Sequence, residues 1–183
     1  MYLEKIHHVK EVFDENFCDS IIAEGESLDI KKSQIQDGDK NNRSSQVSWL
    51  DNKKLQTSLS NYVSLANKES NWNFLLTEFE PLQYSIYNIG DHYDWHIDSH
   101  KKPYSNGLVR KLSFTLCLND DYEGGDLRFS TPHPDSNKIT VDSFKPKTGT
   151  MIVFPSYIWH KVGPVTKGVR KSLVGWVVGK PFA

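Results

Sequence analysis

Histidine and aspartate two residues apart recur in this sequence, and the chemistry they offer is metal binding. Three such pairs occur, His92–Asp94, His96–Asp98 and His133–Asp135, where composition alone predicts about half of one. A pair on one face of a strand presents an imidazole nitrogen and a carboxylate oxygen to the same ion. His133 and Asp135 flank Pro134 in TPHPDSN, where proline removes a backbone donor and points to a surface turn. His92–Asp94 follows the turn residues Asn88, Gly90 and Asp91 directly and is read as still belonging to that turn. His96–Asp98 comes later, where an extended strand is established, and is the pair expected to face inward with Ile97 packed outward.

A redox iron site of the 2-His-1-carboxylate type needs a second imidazole from a neighbouring strand. His160, in GTMIVFPSYIWHKVGPV, is the candidate. Alone, a histidine in an apolar setting is ordinarily a core or rim residue. Ten positions later Arg170, followed by Ser172, opens the apolar strand SLVGWVV. An arginine entering such a strand is costly unless paired, and a dicarboxylate ligand would pair it bidentately. Zinc could take the same three ligands; the Arg170–Ser172 pair tips the choice toward an iron oxygenase.

The elements that must position these groups divide the chain into a mixed front third and a strand-rich remainder. Asp14 is a plausible cap for a helix near 14–27, and a second amphipathic helix with Leu55, Leu59, Tyr62, Val63 and Ala66 follows Asp51 and Asn52. The polar stretch 31–46 reads either as a solvated loop or as a lid over a site. From Trp72 onward, short strands are predicted at 74–79, 82–89, 93–98, 109–118, 126–130, 139–143, 150–154, 157–162 and 171–178. This pattern predicts a mainly β fold with flanking N-terminal helices (α+β). A double-stranded β-helix, or jelly roll, forms its core over about 72–179, and residues 1–71 are helical support within one domain, 1–183.

Three segments, QYSIYNIGDHYDWHID (83–98), RKLSFTLCLNDDYEGGDLRF (110–129) and FPSYIWHKVGPVTKGVRKSLVGW (154–176), carry a resemblance. In this order and spacing they resemble the Fe(II)/2-oxoglutarate-dependent dioxygenases, in the prolyl 4-hydroxylase branch, over about Val12 to Gly179. RSSQVSWL (43–50) is similar to a stretch that borders the peptide groove of collagen-type prolyl 4-hydroxylases. The resemblance implies that His96, Asp98 and His160 hold iron and that Arg170 binds the distal carboxylate of 2-oxoglutarate. It implies that Tyr87 and Ser172 help hold this co-substrate, and that Tyr93, Arg43 and Trp159 face the substrate. Trp95 is read as a core aromatic. The implied cofactors are Fe(II), 2-oxoglutarate and O₂, with ascorbate binding as an accessory feature. The implied reaction is hydroxylation of a peptide or protein, most simply at proline, with release of succinate and CO₂. Collagen-type enzymes carry lysine where Arg170 stands, which turns attention from collagen-like substrates.

The remaining composition bounds the partners. With 37% hydrophobic residues, 25% charged residues and a net charge of -1, the chain reads as an ordinary globular protein without a general affinity for nucleic acid. Lys101, Lys102, Arg110 and Lys111 are interspersed with acids and read as a solvated mixed surface. No apolar run approaches the roughly 20 residues of a membrane span, and the start lacks the apolar stretch of a signal peptide. Cys18 and Cys117 read as buried thiols, which fits a cytoplasmic setting. Two other readings stay open: an oxygenase acting on another side chain, a free amino acid or a nucleic-acid base, and a non-catalytic jelly-roll binding module.

Overall fold

The computed structural model describes residues 6–33, 42–100, 102–132 and 139–181. In chain order the elements begin β1 (His8–Glu11), α1 (Glu15–Ser27), β2 (Lys31–Lys32), β3 (Arg43–Ser44), β4 (Gln46–Leu50), α2 (Lys53–Glu69) and β5 (Glu78–Phe79). They continue β6 (Leu82–Tyr87), β7 (His92–His96), β8 (Val109–Cys117), β9 (Glu123–Gly124) and β10 (Leu127–Pro132). The last are β11 (Ile139–Phe144), β12 (Thr150–Pro155), β13 (Trp159–Val162), β14 (Val165–Lys167) and β15 (Arg170–Gly179).

Both helices start where capping chemistry allows. The carboxylate of Asp14 accepts from the Phe17 N–H, and the Asn52 side chain accepts from the Leu55 N–H. The strands form the two faces of a jelly roll. A large sheet runs β1-β12-β8-β15-β6-β4-β2, with β5 added along β15; a second runs β11-β10-β13-β7-β3. The small β14-β9 pair stands apart.

Alternation along the central strands serves two cores at once. On β8, Leu112, Phe114 and Leu116 join Leu55, Leu59, Val63 and Cys18 of the helices in one buried cluster. The intervening Ser113, Thr115 and Cys117 face the other way. On β12, Met151 and Val153 belong to the helix-side cluster, while Ile152 and Phe154 join Phe129, Leu127 and Tyr87 between the sheets. The helices therefore brace one face of the large sheet, and its other face is left to line a site.

The helix-side core has no slack at Gly175. A Cβ built there would lie 2.3 Å from Phe114 Cζ and 2.9 Å from Leu82 Cδ2. Gly175→Ala should cost about 1–3 kcal/mol through overpacking, lowering Tm by roughly 2–12 °C. A thermal melt within 1 °C of the parent would show that these side chains can yield.

Several expectations are corrected. Residues 1–71 supply strands as well as helices: β1 pairs with β12 and β4 with β6. The predicted strand 74–79 shrinks to Glu78–Phe79. The predicted strand 93–98 is His92–His96, so His92 belongs to the strand and Asp98 falls beyond its end. Residues 31–46 are partly strand, in β2, β3 and the first residue of β4; 34–41 lie outside the described residues. The His133–Asp135 pair also lies outside them. Among the described residues, no helix is long and apolar enough to cross a membrane.

Candidate metal centre and co-substrate pocket

Strand pairing brings the two histidines together. His160 on β13 stands opposite His96 on β7 in register, and their ring centroids are 4.1 Å apart. Asp98 joins them from a bend, not from the strand. Its backbone N–H and that of Ser99 donate to the Ser156 carbonyl at 2.9 and 3.0 Å. This turns the carboxylate back over the sheet: Asp98 Oδ2 lies 3.5 Å from His160 Nε2, and Oδ1 lies 3.9 Å from His96 Nε2. Among the described residues these three form the only group of this kind, their ligand atoms all within 4.8 Å of one another.

The ring orientations suit a metal. His96 Nδ1 donates to the Asp94 carbonyl at 2.7 Å, and His160 Nδ1 donates to the Ile158 carbonyl at 2.9 Å. A carbonyl oxygen only accepts, so both Nδ1 atoms carry hydrogen and both Nε2 lone pairs point at the carboxylate. Burial, reinforced by the neighbouring His160, pushes His96 down to about 3, so its imidazole is neutral. Burial opposes ionisation of Asp98. The two imidazoles, Arg110 and a hydrogen bond from Ser113 outweigh it and hold the carboxyl at about 2. Two imidazoles and one carboxylate are the donor set of a non-haem iron site.

A buried cation stands deeper between the sheets. Arg170, at the start of β15, is 2% exposed. Its Nη1 donates to Ser172 Oγ at 2.9 Å, its Cζ lies 5.2 Å from the centroid of the Tyr87 ring, and its Nε has no partner. None of the ion pairs among the described residues involves it. A guanidinium held this way lacks the anion that burial demands, and a carboxylate would supply it.

Tyr93 and Arg43 extend the site toward solvent. The Tyr93 ring stacks on His96 at 3.5 Å and 9°, and Arg43 Cζ lies 4.7 Å from the centroid of that ring. Pairing of β3 with β7, Arg43 opposite Tyr93, builds this stack. Burial, partly offset by Arg43, pushes the Tyr93 hydroxyl up to about 12.

Trp159 is not brought to the triad. Alternation along β13 turns it to the face opposite His160, and it is 52% exposed. Trp95 is not core either; it is half-buried, with Lys161 Nζ 5.3 Å from the centroid of its ring. Arg110 is not solvated. Its Nε and Nη2 donate to Glu80 Oε1 and Oε2 at 2.8 and 2.6 Å, and its Cζ lies 3.9 Å from the centroid of Trp176. Tyr104 donates to the same Glu80 oxygen, Oε1, at 3.0 Å. Trp49 lies 6.2 Å from Trp176 and is half exposed. Trp176 is buried and opposite Ser113, so this aromatic cluster lies on the sheet face that carries Ser113. Sequence reading missed the cluster because its partners, such as Glu80 and Arg110, are far apart in the chain.

The model of the 2OG-Fe(II) oxygenase superfamily matches residues 82–178, more than half of the chain. The chain belongs to this superfamily. The family's cofactors are Fe(II), 2-oxoglutarate and O₂. A PKHD-type hydroxylase of Synechococcus sp. strain CC9902 is 42% identical over 91 residues, 49% of this chain and 37% of the relative. One from Synechococcus sp. strain JA-3-3Ab is 31% identical over 145 residues, 75% of this chain and 60% of the relative. The chain thus spans only about 37–60% of the length of these curated relatives. Among solved structures, a prolyl-4-hydroxylase from Pseudomonas putida has the same fold. It superposes with a TM-score of 0.73 at 20% identity, covering 97% of this chain and 95% of that one. The viral collagen prolyl hydroxylase from Paramecium Bursaria Chlorella virus-1, in its 2OG complex, gives 0.67 at 18%, covering 96% and 97%.

Proposed function

We propose that this chain is an Fe(II)- and 2-oxoglutarate-dependent hydroxylase acting on a prolyl residue in a peptide or protein. The observation that carries the reading is a buried, uncompensated Arg170 between the same two sheets that hold His96, Asp98 and His160. His96, Asp98 and His160 would hold the iron through two Nε2 atoms and a carboxylate oxygen. Arg170 and Ser172 would seat the distal carboxylate of 2-oxoglutarate beside Tyr87. Bound iron, 2-oxoglutarate and O₂ supply the oxidising power: one oxygen atom enters the substrate C–H bond, the other enters succinate, and CO₂ leaves.

The chain's own residues orient and exclude. Phe129 and Phe154 pack against the His160 ring and make its inner side apolar. The Tyr93 ring and the Arg43 guanidinium over it offer flat faces beside the triad. Such faces suit the rigid, extended backbone of a proline-containing segment. The Pseudomonas putida prolyl-4-hydroxylase and a Trichoplax adhaerens prolyl hydroxylase in complex with a hypoxia inducible factor peptide fragment, both similar in fold, support the same substrate kind. Arg110 is neutralised by Glu80, so it brings none of the free basic charge that a nucleic-acid substrate would call for. The two thiols, Cys18 and Cys117, are free and buried, which supports a cytoplasmic setting.

A peptide array incubated with Fe(II), 2-oxoglutarate and O₂ should show a mass gain of about 16 Da, one oxygen atom, on proline-containing peptides. Succinate should form in step with that gain. Arg43→Ala should then raise the peptide KM about 5- to 30-fold, equivalent to ~1–2 kcal/mol of lost cation contact, with the 2-oxoglutarate requirement unchanged. Oxygen incorporated only into free amino acids would remove the peptide assignment.

A further inference from the structure

The co-substrate pocket holds one hydroxyl that the sequence did not single out. Tyr122 stands in the connection between β8 and β9, in the acidic run NDDYEGGD, and is 3% exposed. Its ring stands beside Arg170, whose charge acts on the Tyr122 hydroxyl, and that hydroxyl lies 3.9 Å from Cys117 Sγ. Cys117 is opposite Ser172 in the β8–β15 register, so its thiol and the Ser172 hydroxyl border the same pocket. Two glycines make room for this arrangement. A Cβ on Gly125 would lie 3.0 Å from Arg170 Cδ and 3.2 Å from Tyr122 Cε2, and one on Gly168 would lie 3.3 Å from Tyr122 Cβ. Both glycines have positive φ, +64° and +73°, so a side chain there would also strain the backbone.

Hydrogen-bond bookkeeping then decides what Tyr122 can do. Arg170 has five N–H groups and accepts nothing. Ser172 accepts from one of them, and Nε is left over. The Tyr122 hydroxyl beside them meets Cys117 Sγ at 3.9 Å, a weak contact with a poor acceptor. A carboxylate seated on Arg170 would be the stronger acceptor for that proton and for the proton of Ser172. Burial pushes the Tyr122 hydroxyl up to about 12, against the opposing pull of Arg170, so the proton is present at neutral pH. Tyr87 stands differently, with the guanidinium carbon 5.2 Å from its ring centroid.

We infer that Tyr122 is a co-substrate-binding residue, donating its hydroxyl proton to the distal carboxylate of 2-oxoglutarate beside Arg170. This rests on the oxygenase reading above. A carboxylate offers about four lone-pair sites; Arg170 fills some of them, and Ser172 and Tyr122 complete the seat.

The test separates the distal carboxylate from everything else. The protein is loaded with Fe(II) without oxygen, and 2-oxoglutarate is titrated by the visible absorption that it raises on the metal. Oxalate, which chelates iron but lacks the distal carboxylate, is titrated as a competitor. Tyr122→Phe should weaken 2-oxoglutarate binding on the order of tenfold, the loss of one hydrogen bond to a charged group, and leave oxalate unchanged. An unchanged 2-oxoglutarate affinity, or an equal loss for both ligands, overturns the assignment; the second result marks a purely structural tyrosine. If the phenyl variant does not fold, Tyr122→Met, flexible enough to fill the same space, carries the same comparison. Failure of the oxygenase reading itself shows separately, as absence of any 2-oxoglutarate-dependent band in the unsubstituted protein.

Discussion

The His160→Ala protein is expected to lose both turnover and the visible band that 2-oxoglutarate raises on bound Fe(II). Its iron affinity should fall by more than the roughly 10- to 100-fold that follows loss of an outer-shell partner, because Nε2 of His160 is one of only three protein donors in the cluster. The fold should survive, since the side-chain hydrogen bond of His160 to the backbone is local, Nδ1 to the Ile158 carbonyl, and its ion-pair partner is Asp98 of the metal group itself. His92→Ala is the matching control. His92 lies on the same strand as His96 but bonds the Gly90 carbonyl at 3.3 Å and is outside the metal group, so its variant should keep the band. A band that persists in His160→Ala, or disappears in His92→Ala, would falsify the ligand set.

Arg170→Met should move affinity and stability in opposite directions. Without the guanidinium, 2-oxoglutarate loses its charged partner. Truncating one side of a buried charge pair costs about 2–5 kcal/mol, so its Kd should rise by roughly 30-fold to several thousandfold. Iron alone should still bind, because Arg170 is not among the three donors. The metal-free protein, however, is relieved of a buried cation that pairs with no carboxylate among the described residues. Replacing buried charge by an apolar chain of similar volume is often neutral or stabilising. The Tm of metal-free Arg170→Met should therefore be no lower than that of the parent. A drop of several degrees would mean that Arg170 serves the fold and not a ligand. Such a site, strained until its ligand arrives, is the usual trade of stability for function.

Local signals were legible, and distant partners were not. The cap residues Asp14 and Asn52 and the apolar spacing behind them located both helices. The longer strands from Leu82 onward followed from β-rich segments and turn residues, within two residues of their observed ends, whereas the short β9 and β14 were not expected. His96, His160 and Arg170 fell where spacing and family resemblance had put them. Asp98 joins the two histidines by another route than expected: strand alternation was expected to aim it, but a carbonyl 58 positions away, on Ser156, bends the chain instead. Arg110 looked solvated because nothing nearby in sequence announces Glu80 or Trp176 as its partners. Tyr122 was passed over as part of a turn. Its only signal was an aromatic ring amid acids and glycines, where a solvated turn has no use for one.

The Ser156 carbonyl has a further consequence. It fixes the backbone of Asp98 and Ser99, and it stands four residues before His160. Two of the three donors therefore hang from a single short turn. Substitutions in this segment can drift so long as the turn is kept, but its length is frozen. One residue gained or lost between Ser156 and His160 would turn the imidazole to the opposite face of its strand and carry it away from the carboxylate. Over evolutionary time, insertions are thus expected to accumulate elsewhere in the barrel, and an engineer enlarging the substrate mouth should leave this turn at its present length.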